Sequence, residues 1–193
     1  MNLDLYKKLM TTGDSSVRKC GPRQRWDIWK TFLQICEVFL KENEVENPVV
    51  VELGVYRNHQ KKFYEQLLNA EHIGIDISDS RGIPDILGNT HDSETLAVLK
   101  KRLEGRSIDI LFIDAAHSYA DVKQDFDMYS PLCDGIIALD DINLSRHRVK
   151  KRKSHGVWQF WDELKMAEGY DEYIFLSICQ EKDCSGMGVI IQK

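Results

Sequence analysis

Four short runs of aliphatic and β-branched residues, each with an acid at or near its end, constrain this chain more than any other feature. They are Val49-Val50-Val51-Glu52-Leu53-Gly54, His72-Ile73-Gly74-Ile75-Asp76, Asp109-Ile110-Leu111-Phe112-Ile113-Asp114 and Gly135-Ile136-Ile137-Ala138-Leu139-Asp140. Continuous apolar runs of this length, without polar alternation, read as strands buried on both faces. Helical patterns separate them. Residues 25–42 place Trp26, Trp29, Phe32, Leu33, Cys36, Phe39 and Leu40 at spacings of three and four, and shorter helices are expected over 59–69, 93–103, 119–129 and 157–166. Tyr173 to Ile178 and Met187 to Ile191 complete the strand set. Strands alternating with helices imply right-handed crossovers. The expected fold class is therefore α/β, a doubly wound, mainly parallel sheet with helices on both faces. It is read as one domain over residues 1–193, with an N-terminal helical segment (1–45) and an α/β core (46–193).

Composition narrows the functional classes. With 42% hydrophobic and 30% charged residues the chain reads as globular, and a net charge of −5 disfavours general nucleic-acid binding, which needs a basic surface. The N-terminus has neither an apolar run nor a cleavage-site pattern, so the expected location is cytoplasmic and no membrane partner is expected. Five cysteines, Cys20, Cys36, Cys133, Cys179 and Cys184, contain no CxxC pair and are expected to be reduced thiols.

In open parallel sheets, ligands bind beyond the carboxyl ends of the strands where strand order reverses. Those ends carry Glu52, Asp76, Asp114 and the pair Asp140-Asp141. One such acid could merely cap a helix. Four together point to a site, because a carboxylate ending a buried strand needs a donor, a cation or water. Asp76 lies 24 residues past Glu52, where an acid is placed to bind the ribose hydroxyls of a nucleoside cofactor. The first turn, Gly54-Val55-Tyr56-Arg57-Asn58-His59-Gln60, lacks the GxGxxG of dinucleotide sites, and no P-loop motif occurs. In Asp114-Ala115-Ala116-His117 the alanines leave room for a ligand and His117 reaches the crevice mouth as a candidate base. Asp114, Asp140 and Asp141 are expected to converge as oxygen ligands for Mg²⁺ or another divalent cation.

These segments resemble the metal-dependent small-molecule and sugar O-methyltransferases, a family including macrocin-type and rhamnosyl O-methyltransferases and cephalosporin-hydroxylase-like proteins. VVVELGVYRNHQ is similar to the family's first turn, and LFIDAAHSYADVKQDFDMYSPL to its FIDGxHSYExVxxDFxxYxPL segment. IIALDDI, GVWQFWDELK and GMGVIIQK extend the resemblance over residues 49–192. It implies a seven-stranded Rossmann-like methyltransferase sheet, S-adenosylmethionine as cofactor, and a sugar or other small hydroxylated substrate. Glu52, Gly54, Tyr56, Asn58, Asp76, Asn89, Asp114 and Ala115 would then bind the cofactor, Asp114, Asp140 and Asp141 would hold Mg²⁺, and His117 with Asp114 would serve catalysis. The chain departs from the family at Arg57-Asn58-His59-Gln60, where the family has Arg-Gly-Gly-Ser. Asn58 tolerates positive φ and can keep the turn, whereas His59 is expected to project toward the methionine end of the pocket.

Residues 145–155 hold six Lys or Arg, suited to an anionic or glycosylated small-molecule substrate beside the site. Trp26 and Trp29 could contact a second copy in a homo-oligomer, although covering the sheet is the simpler role. Two rival functions share the same residues: a binding module with the fold but no catalysis, and a hydrolase using the carboxylates through a metal.

Overall fold

The β-branched runs form the strands expected of them. In a computed structural model, β1 (Val49–Leu53), β2 (Glu71–Asp76), β3 (Ile86–Leu87), β4 (Ile108–Ile113), β5 (Cys133–Asp140), β6 (Tyr173–Ile178) and β7 (Met187–Gln192) make one sheet. Its order is β3-β2-β1-β4-β5-β7-β6. The first five strands are mutually parallel, and β7 runs antiparallel to both β5 and β6. The described residues are 1–11, 24–144, 155–169, 172–178 and 184–192. Most of the basic stretch, residues 145–154, lies outside them, as do Cys20 and Cys179.

Helices α1 (Leu3–Thr11), α2 (Trp26–Glu42) and α3 (Lys61–Leu67) cover one face, and α4 (Ser93–Leu103), α5 (Tyr119–Tyr129) and α6 (Val157–Met166) the other. Strand periodicity divides the core accordingly, since successive side chains point to opposite faces. Val50, Ile110, Phe112, Ile136 and Ala138 join the layer under α1 to α3. Val51, Leu53, Leu111, Ile113, Ile137 and Leu139 join the layer under α4 to α6. Every residue of β1 is buried, Glu52 included, which is why the run carries no polar alternation.

Trp29 is fully buried and meets Phe63, Tyr64 and Phe112 edge-on at centroid distances of 5.6–5.9 Å. Covering the sheet is thus its role, worth roughly 1.5–3 kcal/mol by burial alone. Trp26 is 42% exposed and lies edge-on to Tyr6. On the other face Trp161 lies over Gly188, where a Cβ would sit 2.7 Å from the indole ring. Its Nε1 donates to Ser177 Oγ at 3.1 Å.

Two elements and one cysteine differ from the sequence expectation. Strand β3 is only two residues long, too short to show a period. Helix α3 begins at Lys61 rather than near 59, and Gln60 at its N-cap makes no side-chain cap hydrogen bond. That fits the absence of a capping Ser or Thr there. The expectation of reduced cysteines holds for buried Cys36 and Cys133 but not for Cys184, which is disulfide-bonded to a partner outside the described residues. Pairing depends on proximity in the fold, which Cys spacing alone does not encode. Among the described residues no helix is long and apolar enough to cross a membrane.

Candidate active site

The strand order reverses between β1 and β4, and the crevice that opens beyond their carboxyl ends is a cavity of about 540 Å³. This is the size range of small-ligand sites. Gly54 makes it possible. Its φ is +86°, and a Cβ there would lie 2.4 Å from the Asp114 carbonyl oxygen and 2.6 Å from Ala115 Cα. The two strand ends are therefore in direct backbone contact, and only glycine fits.

The first turn keeps its shape without further glycines. Tyr56 and Asn58 both adopt the left-handed conformation, at φ 51° and 55°. Two tethers hold them. Tyr56 N–H donates to Asp76 Oδ2 at 2.8 Å, and Asn58 Nδ2 donates to the Ile83 carbonyl at 3.0 Å. Arg81 donates to the Tyr56 hydroxyl at 2.6 Å and stands over its ring. Asp76 Oδ1 accepts from Ser78 N–H, so each carboxylate oxygen keeps a lone pair for a ligand hydroxyl.

Of the residues singled out in the sequence, Gly54, Tyr56, Asp76, Asn89, Asp114, Ala115, His117, Asp140 and Asp141 all line this one cavity. His59 lines it too. Glu52 and Asn58 do not. The Glu52 carboxylate is wholly buried and pairs with His72 Nε2 at 2.9 Å, while Asp85 stands 3.7 Å from His72 Nδ1. Burial raises the Glu52 carboxyl and His72 opposes that rise. The carboxylates around His72, with their hydrogen bonds and charge, lift its imidazole against the effect of burial. Glu52 thus ties β1 to β2 from inside, and Asn58 ties the first turn to the loop before β3. Asn89 Oδ1 is engaged by His91 N–H at 3.1 Å.

The acidic end is arranged differently from the expected cation cage. Asp140 Oδ2 accepts from Gln24 Nε2, and Asp140 shares a hydrogen bond with Asp114. Burial, followed by the Asp141 charge, pushes the Asp140 carboxyl up to about 7. Among the described residues, no group of three or more His, Cys, Asp or Glu side chains is placed to hold a metal ion. Gln24 already occupies Asp140 Oδ2, and although Oδ1 is buried without a hydrogen-bond partner, the described residues do not assemble into a cage that fits Mg²⁺. Beside them, His117 Nε2 stands 3.7 Å from Asp141 Oδ2, and the ring stacks on His155 at 5.6 Å. The His117 carbonyl accepts from Gly156 N–H at 2.7 Å, fixing the segment in front of α6 against this turn.

Sequence reasoning missed Gln24, Thr90, His91 and Ser185, which also line the cavity. Gln24 and Ser185 lie far along the chain from the strand ends and gave no local signal. The turn-rich run Gly88-Asn89-Thr90-His91-Asp92 was the one available hint for the other two.

The sheet is Rossmann-like, and Gly54 and Asp76 line the crevice at its switch point. Residues 36–142, more than half of the chain, match the family model described as a methyltransferase domain, and the chain belongs to that family. Among solved structures, the O-methyltransferase TomG from Streptomyces achromogenes, in complex with S-adenosylmethionine, matches with a TM-score of 0.59 at 13% identity. That match covers 84% of this chain and 80% of TomG. The MycE methyltransferase of the mycinamycin biosynthetic pathway, in complex with Mg and S-adenosylhomocysteine, matches with a TM-score of 0.50 at 16% identity. It covers 90% of this chain and 50% of MycE. A 64-residue stretch is 34% identical to the uncharacterized protein y4gI of Sinorhizobium fredii, covering 32% of this chain. The chain spans about 6% of the length of that curated relative.

Proposed function

We propose that this protein is an S-adenosylmethionine-dependent O-methyltransferase acting on a sugar or other small hydroxylated molecule, with His117 as general base. The observation that carries this reading is the placement of His117, with Asp141 behind it, in the same cavity as Gly54 and Asp76. When bound, the cofactor supplies an electrophilic methyl group. Asp76 accepts from the ribose hydroxyls, and Gly54 admits the cofactor close to backbone. With His117 Nε2 turned to Asp141, Nδ1 is the nitrogen left to take the substrate hydroxyl proton. Asp141 then stabilises the imidazolium, as an opposite charge favours the charged form. Arg57 and His59 also line the cavity, which suits an anionic or glycosylated acceptor. No step is routed through a metal, given how Asp140 is engaged.

Calorimetric titration with S-adenosylmethionine, with and without Mg²⁺, tests the reading, with Asp76→Ala as control. Binding that Asp76→Ala abolishes supports it, and binding that strengthens only with Mg²⁺ restores the metal-assisted form. No binding in either condition overturns it in favour of a non-catalytic module. For the base, His117→Ala is expected to lower turnover by about 10²–10⁴-fold with cofactor affinity retained.

A further inference from the structure

A buried acid outside the catalytic cluster bears on which base the cavity accepts. Asp125 sits on the inward face of α5 with no exposure, and neither of its oxygens meets a well-aligned donor among the described residues. The polar groups facing it are the Thr90 side chain and the His91 ring, whose Nε2 is 3.3 Å from Asp125 Oδ1, with Asp121 one turn earlier on the same helix. The same helix holds this loop again through Tyr129, whose hydroxyl donates to the Thr90 carbonyl at 2.9 Å. A buried carboxylate is costly without a donor, so the proton of a neutral His91 belongs on Nε2. Nε2 is the buried nitrogen of the ring, and the partly exposed remainder of the side chain lines the cavity.

This loop follows β3, the neighbour of β2 on the side away from the switch point. A nucleoside whose ribose rests on Asp76 extends its base toward that strand end. Asn89 spends one lone pair of its side-chain carbonyl on His91 N–H, and the His91 imidazole stands beside it in the cavity lining as a further polar group able to read the base.

We propose that Asp125 fixes His91 with its proton on Nε2, so that Nδ1 faces the cavity as a hydrogen-bond acceptor selecting a 6-aminopurine over a 6-oxopurine. Asp125 is a positioning residue and His91 the specificity-determining one. The amino group of adenine donates to Nδ1, whereas the oxygen of hypoxanthine sets lone pair against lone pair. The inference rests on the cofactor reading above.

The test compares binding of S-adenosylhomocysteine and its deaminated analogue, S-inosylhomocysteine, to the wild type, His91→Phe and Asp125→Ala. The wild type is expected to favour the adenine ligand by at least about tenfold. Both variants are expected to bring the ratio close to one. A purely structural role would weaken both ligands together and leave the ratio intact, which would overturn the proposal. His91→Phe keeps ring volume at a partly exposed position, so the test survives if Asp125→Ala does not fold. If the wild type binds neither ligand, the cofactor reading itself falls and takes this proposal with it. If it binds both equally, only this proposal falls.

Discussion

Replacing Asp140 with asparagine should make the protein more stable at neutral pH. Asp140 closes β5 inside the cavity wall, and its carboxyl is raised from 3.8 to about 7 by burial and then by Asp141. A carboxyl held above its unfolded value binds its proton more tightly in the native state. Stability from this group is therefore greatest below pH 4 and is lost as pH climbs toward 7. A rise of about three pH units corresponds to roughly 4 kcal/mol in full, of which about 3 kcal/mol falls between pH 5 and 8. Asparagine keeps the shape and carries no charge. Its carbonyl accepts from Gln24 as the carboxylate does, and its amide can donate to Asp114. Urea denaturation at pH 5 and pH 8 provides the assay. At pH 8 the Asp140→Asn midpoint should lie higher by about 1 M or more, for a urea slope of about 1–3 kcal/mol/M. At pH 5 the gap should narrow. Parallel wild-type and variant pH profiles, or a variant less stable at pH 8, would refute a raised Asp140 carboxyl.

Two other substitutions probe the framework. Gly54→Ala combines a left-handed backbone with a Cβ driven into Asp114 and Ala115, so it should cost about 2–5 kcal/mol in denaturation and remove cofactor binding. His72→Ala strands the buried Glu52 carboxylate and should cost about 3–5 kcal/mol, whereas the double change with Glu52→Gln should recover part of that loss.

The fold was legible because burial on both faces leaves a direct trace. Val49 to Leu53 and Ile108 to Ile113 carry no alternation, and their side chains serve two core layers in turn. The acids at strand ends were legible for the complementary reason, that charge is tolerated only where the sheet opens. Spatial relations were the limit. Glu52 looked like Asp76 in the sequence, yet one strand residue separates an interior position from the rim, and His72 takes it inward. Gln24 reaches Asp140 across 116 positions, and no local pattern announces such a contact. The positive φ of Tyr56 is likewise invisible in its residue type, because tethers to Asp76 and Arg81 hold a conformation that tyrosine alone avoids.

The contact between Gly54 and the Asp114-Ala115 backbone also bears on traffic through the cavity. Two strand ends that already touch cannot draw together around an incoming molecule, so the floor acts as a fixed anvil rather than a jaw. Entry and release then depend on the side chains that line the rest of the cavity, Gln24, His117 and Ser185 among them, rather than on movement of its floor.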